Sequence, residues 1–384
     1  MVLSDKIYLD YNATTPVEPE VVKVMMPFFT ESFGNASSDH SFGWFADDAV
    51  ETARNQVAKL VNCRPTEITF TSGATEAANL ALFGFCRKNR NKGNHIVTCS
   101  TEHKAVLETM DALEEEGFEV TYLDVDGQGN IDLEELDKMI LPTTLLVCIM
   151  LANNETGLIH PIKSIAGIAH GKNVALMSDI TQAVGKIPVD LEDLGIDMAI
   201  FSSHKIYGPK GVGALYLNKD NNTTIAKHFF GGNHEKGVRP GTLNVPGIVG
   251  FGAACKMAGA NLQENYQNQL DLRNQLEEEL LTIEGAIINS HGEERLPNTT
   301  NVSFAGVDGT KLLRYLNTLA LSRGSACTSN QMNPSHVLKA MGLEDGHALA
   351  SLRISTGRNT TSEDIQKAVL KIKTTVNQLK AVAL

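Results

Sequence analysis

The sequence lacks a long apolar run, and its cysteines are few and scattered. The longest apolar run, Leu145 to Ala152, falls far short of the roughly 18–20 residues that span a bilayer. The N-terminus, MVLSDKIYLDYN, lacks the basic start and apolar stretch of a signal peptide. The chain has six cysteines, and no two form a C-x-x-C pair, which leaves no zinc cage or thioredoxin-type motif. We therefore expect a cytoplasmic protein without a membrane partner, whose cysteines are free thiols.

Positive charge is also scarce. Lysine and arginine total 33 against 45 aspartates and glutamates, a net charge of -12. A general nucleic-acid-binding protein needs a basic face, so no direct nucleic-acid partner is expected. Hydrophobic residues make up 42% of the 384 positions, which supports a sizeable core and excludes a disordered or fibrous chain.

Short β-type runs alternate with helical patterns through the first two thirds of the chain. Two of the helical patterns cover 75–87 and 105–116, and strands are predicted at 68–71, 96–99, 120–125, 145–151, 175–179, 199–202 and 213–217. This alternation predicts an α/β fold in which helices cover parallel strands. The run 145–151 is apolar without alternation, as expected of a strand buried on both faces.

The pattern changes after about residue 260. A long charged helix is predicted at 263–283, and the last 20 or so residues form an amphipathic helix. We predict a large α/β domain over residues 17–258. A smaller α+β domain is predicted from residues 1–16 together with 259–384.

Residues 124–135, DVDGQGNIDLEE, match an EF-hand calcium loop at its positions 1, 3, 6, 8 and 12. Gln128 at position five is uncharged, and residues 118–123 before the loop alternate like a strand instead of forming the entering helix. We therefore favour a polar turn that leads into a helix over 133–140, and we expect no resident metal.

The segment 71–76, TSGATE, follows a predicted strand and opens a helix. Gly73 would let the backbone approach an anion closely, and the first helical turn would offer free N–H groups to it. Taken alone, however, these residues are better interpreted as an ordinary Ser/Thr-capped turn.

Asp179 ends one predicted strand, and Lys205 follows the next. The carboxyl ends of neighbouring parallel strands share one crevice, so the acid and the amine are expected to lie together. Pyridoxal phosphate needs such a set: a lysine for its aldehyde, a carboxylate for its ring nitrogen and donors for its phosphate. The alternative is a surface lysine near a surface acid. Lys210, in a Gly-Pro-Lys-Gly turn, is the weaker candidate for the amine.

With these residues in view, the chain resembles the class V, aspartate-aminotransferase-type pyridoxal phosphate enzymes, and among them cysteine desulfurases of the NifS/IscS kind. The matching motifs run from end to end: YLDYNATTP at 8–16, TSGATE at 71–76, TEH at 101–103, NNETG at 153–157, SSHKIYGPKG at 202–211, GTLN at 241–244, GSACTS at 324–329 and LRIS at 352–355. The resemblance implies aminotransferase fold type I, with a mainly parallel sheet in the large domain and Cys327 on a loop of the small domain.

The resemblance also implies a role for each motif residue. Lys205 carries the cofactor and moves the substrate proton, Asp179 pairs with the ring nitrogen, and Gln182 bonds the ring oxygen O3′. His103 stacks on the ring. Four residues hold the phosphate, namely Ala74, Thr75, Ser202 and His204. Thr242 reaches the phosphate of a neighbouring subunit, which implies a homodimer. The substrate is held by Asn12, Asn154 and Arg353, with Asn154 also beside the cofactor.

The activity implied is that of a cysteine desulfurase, which converts L-cysteine to L-alanine. Cys327, in a run of small polar residues, takes the sulfur as a persulfide and passes it to an acceptor or scaffold protein for iron–sulfur assembly or thiolation. Cys327 is also the single candidate for a transient iron–sulfur ligand. The alternative activity is that of a selenocysteine lyase, because RPGT at 239–242 and SRG at 322–324 resemble those enzymes. The form SACTS at 325–329 favours the desulfurase.

Overall fold

The computed structural model describes residues 6–221, 223–324 and 333–383. The first half of the chain forms β1 (Ile7–Tyr8), α1 (Pro19–Met25), α2 (Pro27–Thr30), α3 (Ser41–Leu60), β2 (Ile68–Thr71), α4 (Ala74–Asn89), β3 (His95–Cys99), α5 (Lys104–Glu115), β4 (Glu119–Leu123), α6 (Leu133–Met139), β5 (Thr144–Cys148), α7 (Ile162–Gly171) and β6 (Ala175–Asp179).

The second half forms β7 (Met198–Ser202), β8 (Gly213–Leu217), α8 (Val245–Ala260), α9 (Leu262–Leu280), β9 (Ala286–Ile288), β10 (Thr299–Phe304), α10 (Gly309–Tyr315), β11 (Leu319–Ala320), α11 (His336–Ala340), α12 (Asp345–Leu349), β12 (Ser351–Ser355) and α13 (Ser362–Ala383). Each predicted strand and each predicted helix is present, with ends that differ by a few residues. In the described part of the chain, none of the helices combines the length and apolarity that crossing a membrane requires.

The central sheet has seven strands in the order β2-β8-β7-β6-β5-β3-β4. Strands β4, β3, β5, β6 and β7 pair in parallel, which confirms the mainly parallel α/β fold. The strand predicted at 213–217 departs from the pattern, because β8 runs antiparallel to both β7 and β2. The connection from β7 to β8 contains no crossover helix, and a short connection of this kind returns the chain antiparallel.

Apolar side chains pack on the central sheet and in a separate cluster built from other elements. One cluster joins α3, α7 and α8 to the sheet, and a second joins α4 and α5 to it. A third contains Leu9 together with residues of α9, β10, β12 and α13. The N-terminal segment thus packs with the C-terminal third. The division of the chain at 16/17 and 258/259 stays a prediction.

The calcium-like loop is a polar turn, as predicted. It is entered from strand β4, and the Asp126 carboxylate accepts hydrogen bonds from the backbone N–H groups of Gln128 and Asn130, each at 2.8 Å. Asp132 then caps α6 by accepting from the N–H of Glu134. Each of these carboxylates therefore organises its own backbone.

A second sheet brings distant segments to the edge of the first. Strands β12, β10 and β9 form an antiparallel sheet, and Asp10 bridges to Ser355 at the end of β12. Thr15 then donates its N–H to the carbonyl of His204, just beyond β7. The N-terminal segment is therefore held between the two sheets.

Candidate active site

A cavity of about 440 Å³ lies at the carboxyl ends of the parallel strands, where ligands bind in open α/β sheets. The sheet carries predicted site residues from several motifs into its wall: Ala74, Thr75, His103, Asn154, Asp179, Gln182, Ser202 and His204. These eight residues come from five separate segments of the sequence. They meet because each lies at or after the carboxyl end of a strand, and the topology places these strand ends at the same edge of the sheet.

One end of the cavity is formed by the N-terminus of α4. Gly73 is the N-cap residue of α4 and has no side chain to form an N-cap hydrogen bond. The N–H of Ala74 donates to the Ser202 hydroxyl at 3.0 Å. Gly73 has a φ of 156°, and a Cβ placed on it would lie 3.3 Å from Ser202 Oγ. The N-cap residue is therefore glycine, so the predicted Ser/Thr N-cap is wrong, and the first turn of this 16-residue helix faces the cavity, which suits an anion.

Glu76 and Arg239 form an ion pair beside this helix end that the sequence did not reveal. Arg239 Nε donates to Glu76 Oε1 at 2.8 Å, and Glu76 Oε2 accepts from the N–H of Ser72. Burial raises the pKa of Glu76, but the bonds from Arg239 and Ser72 outweigh it and leave this pKa below its usual value. Arg239 therefore neutralises a carboxylate that would otherwise repel an anion at the helix end.

Asp179 and His103 also line the cavity. Asp179 ends β6, and its carboxylate accepts from the N–H of Thr181 at 2.9 Å. His103 caps α5 by accepting from the N–H of Ala105 through Nδ1. Burial lowers the pKa of His103, against the opposing effect of Asp179. The imidazole is therefore neutral near pH 7, and because Nδ1 accepts, its proton sits on Nε2.

The two candidate lysines occupy different positions. Lys205 ends a short 3-10 turn after β7, and its Nζ donates to the carbonyl oxygens of Asn12 and Ala13. Ala13 and Lys210 both line the cavity, so the Lys205 amine lies directly behind the wall that Ala13 forms. Burial, together with Lys205 and Lys210, lowers the pKa of His204 to about 4.

Four of the predicted residues that the structure describes lie outside the cavity lining: Asn12, Lys205, Thr242 and Arg353. Arg353 is buried in β12 and pairs with Asp10, with NH2 2.8 Å from Asp10 Oδ1, while its NH1 donates to the carbonyl of Asn154. The Asn12 side chain belongs to a buried hydrogen-bond network. Cys327 lies outside the described residues. The five described cysteines are free thiols, and four of them are buried, as predicted.

Glu155 contacts both chain segments that flank residues 325–332, a role that the sequence did not show. Its carboxylate accepts from the Ser335 hydroxyl at 2.5 Å. A Cβ placed on Gly324 would lie 2.8 Å from each of its carboxylate oxygens. Glu155 is buried and follows Asn154 in the cavity wall, so the cavity and these flanking segments share one anchor.

Known proteins resemble the chain over nearly its whole length. The profile of the family described as Aminotransferase class-V matches residues 7–368. A cysteine desulfurase IscS of Anaeromyxobacter sp. (strain Fw109-5) is 46% identical over 381 residues, which cover 97% of this chain and 93% of that protein. A solved structure described as a NifS-like protein superposes with a TM-score of 0.91 at 39% identity, covering 97% of this chain and 100% of its own. Another, described as SspA in complex with cysteine, gives a TM-score of 0.81 at 35% identity, covering 91% of this chain and 98% of its own.

Proposed function

Because this chain belongs to the class V aminotransferase family, as a pyridoxal-phosphate-dependent cysteine desulfurase, we propose that its cavity holds the cofactor between α4 and Asp179, with Lys205 as the reactive amine. One observation carries this proposal. The N-terminus of α4 and the buried Asp179 carboxylate line one cavity, and the Lys205 amine donates to the carbonyl of Ala13 in the wall of that cavity. The comparisons offer no support for the selenocysteine lyase.

The residues present fit the cofactor at both ends. At the α4 end, the first helical turn and the hydroxyls of Thr75 and Ser202 supply the donors that a phosphate dianion needs. At the other end, the Asp179 carboxylate suits a protonated ring nitrogen. Gly73 and Gly213 allow the start of α4 and the start of β8 to pack closely, since a Cβ on Gly213 would lie 2.7 Å from the Cα of Gly73.

When bound, pyridoxal phosphate supplies an electron sink for the charge that develops at the substrate Cα. The work of the chain is to hold and move protons around that atom. The Lys205 amine is the base at the Cα, because two carbonyl oxygens already orient it toward the cavity wall. The neutral His103 ring offers its face and an N–H at Nε2.

Arg353 is proposed to receive the substrate carboxylate. Its Nε has no hydrogen-bond partner among the described residues, although it is buried. A buried guanidinium N–H without a hydrogen-bond acceptor is costly. A carboxylate that accepts from two of the guanidinium nitrogens would supply that acceptor. Asn154, whose carbonyl accepts from Arg353, connects this group to the cavity wall.

Cys327 is proposed as the nucleophile, on the match of GSACTS at 324–329 and on the desulfurase relatives. Its thiolate attacks the substrate sulfur, so that an S–S bond forms while the bond from Cβ to sulfur breaks. The electron pair of that bond goes to carbon, which takes up a proton to give alanine. The sulfur stays on Cys327 as a persulfide for a sulfur acceptor, which we place in iron–sulfur assembly or thiolation in the cytoplasm.

The experiment that tests this function measures alanine release from L-cysteine and L-selenocysteine side by side. We expect the holoenzyme to release alanine from cysteine and Cys327→Ser to lose this activity by at least about 100-fold, because the nucleophile is absent. Cys63→Ser, at a half-buried thiol remote from the motif, is the matched control and should retain activity. Release from selenocysteine alone, or from cysteine at an unchanged rate by Cys327→Ser, would contradict the proposal.

We also propose that the enzyme is a homodimer. Aromatic side chains of α2, of the segment after it and of the start of α3 form an exposed patch. In this patch Phe33 and Trp44 are 66% and 61% exposed, and Phe33 packs on Phe42. A patch of this kind marks an interface, and Thr242 lies outside the cavity of its own chain. Sedimentation velocity should show a dimer, and a combined Phe33→Glu and Trp44→Glu variant should be monomeric. A monomeric wild type would contradict the proposal.

A further inference from the structure

A buried lysine lies behind the cavity wall, four residues after Gln182 in the chain. Lys186 is 8% exposed. Its Nζ donates to Gln182 Oε1 at 2.6 Å and to Asn12 Oδ1 at 3.1 Å. Both acceptors are uncharged, so the amine binds two amide oxygens and no carboxylate through these bonds.

An amine in this position is costly for the fold. Burial lowers the pKa of Lys186 well below its usual value, and the nearby Lys205 and Arg353 lower it further. Taking a charged or strongly polar group out of water without a counter-charge costs several kcal/mol in general. An apolar side chain of the same length would avoid this cost, so packing alone does not explain a lysine here.

The hydrogen bonds around Gln182 show what the amine does. Gln182 Nε2 donates to the backbone carbonyl of Asn12 at 3.0 Å, and a carbonyl can only accept. The amide nitrogen must therefore face Asn12, which turns Oε1 toward Lys186. The Lys186 amine has an N–H for that oxygen in either protonation state. The two bonds together fix which way the amide points.

This orientation leaves one N–H of Gln182 outside both bonds, because an amide nitrogen carries two hydrogens. Gln182 lines the cavity. We propose that Lys186 is a positioning residue, which fixes the Gln182 amide so that this second N–H is presented to the pyridoxal phosphate ring oxygen. The inference rests on the proposed function, since it needs the cofactor in this cavity.

The same amine also bonds the side chain of Asn12, whose backbone carbonyl holds Lys205. Asn12 Oδ1 accepts from Lys186 and from Asn298 Nδ2, and the Asn12 carbonyl accepts from both Gln182 and Lys205. Without the Lys186 amine, Asn12 Oδ1 keeps its bond from Asn298. The main effect of losing the amine is therefore the release of the Gln182 amide and, through that amide, a looser Asn12 carbonyl.

The test compares Lys186→Met, Gln182→Ala and the double variant, each as full-length protein purified as the dimer. The readouts are the visible absorption maximum of the bound cofactor and the Kd for pyridoxal phosphate added to the apo protein. We expect Lys186→Met to shift the absorption maximum in the same direction as Gln182→Ala and to weaken cofactor binding by about tenfold, the effect of one lost hydrogen bond. The double variant should match Gln182→Ala, because one residue acts through the other.

If Lys186 only stabilised the fold, apo Lys186→Met would unfold at a lower temperature than the wild type. We expect no such decrease, because replacing a buried amine with an apolar side chain of equal length is often neutral or stabilising. Lys186→Gln keeps an N–H donor and should restore the wild-type absorption maximum. If Lys186→Met does not fold, Lys186→Leu, which also removes the donor, takes its place in the same comparison with Gln182→Ala. Lys163→Met, at an exposed ion pair with Asp193, is the control.

An absorption maximum and Kd of Lys186→Met equal to those of the wild type would overturn the inference. Strictly additive effects of the two substitutions would overturn it as well, since the residues would then act independently. A wild-type protein that gains no visible band with pyridoxal phosphate would instead overturn the proposed function, and this inference with it.

Discussion

Lys205→Ala should lower the turnover of L-cysteine to alanine by at least about 1,000-fold, because the variant loses both the amine that holds the cofactor and the base at the substrate Cα. The apo protein should fold, since the Lys205 amine donates to the backbone carbonyls of Asn12 and Ala13, which lie in a loop. The measurement is steady-state alanine formation together with the visible spectrum of protein reconstituted with pyridoxal phosphate.

The controls for Lys205 separate it from the neighbouring lysine. Lys210 also lines the cavity, and Lys210→Ala should still attach the cofactor covalently, although its turnover can fall. Lys163→Ala, at an exposed lysine, should behave as wild type. Covalent attachment that survives Lys205→Ala and disappears in Lys210→Ala would reverse the assignment of the two residues.

Asp179→Asn should lower kcat by about 100-fold while the cofactor remains bound. An adjacent carboxylate raises the pKa of a cationic nitrogen by about 1–3 units, and a neutral amide does not. The ring nitrogen would then lose its proton and with it the capacity to draw electrons from the substrate. Asparagine keeps the oxygen that accepts from the N–H of Thr181, so the loop after β6 should retain its conformation.

The readouts for Asp179 are kcat, KM and the visible spectrum as a function of pH. KM for cysteine should change by less than about threefold, since no substrate contact is removed. Asp193→Asn, at an exposed carboxylate paired with Lys163, is the matched control. Wild-type kcat in Asp179→Asn would show that the ring nitrogen is not paired at this carboxylate.

Alternating strands and helices predicted the large sheet, because hydrophobic period and strand length are local properties. The antiparallel β8 was not predicted, since its direction depends on the missing crossover helix between residues 202 and 213. The strand predicted at 145–151 ends at Cys148, although Ile149 and Leu151 still bond to the carbonyls of Met177 and Asp179.

The motif residues at strand ends were also predictable, since parallel topology brings them to one edge. The partners of these residues were not. Lys186 is one lysine among many in the sequence, and its contact with Asn12 joins positions 174 apart in the chain. Arg239 and Glu76 are separated by 163 positions. Contacts of this kind depend on how distant segments pack together. The spacing of hydrophobic residues along the chain does not predict them.

The most direct test of the account maps the lysine that holds the cofactor. The holoenzyme is reduced with borohydride and digested, and the peptide that carries the pyridoxyl group is identified by mass spectrometry. The account predicts the label on Lys205, in quantity close to one per chain. Label on Lys210 or Lys186, or no labelled lysine in protein that has bound the cofactor, would contradict it.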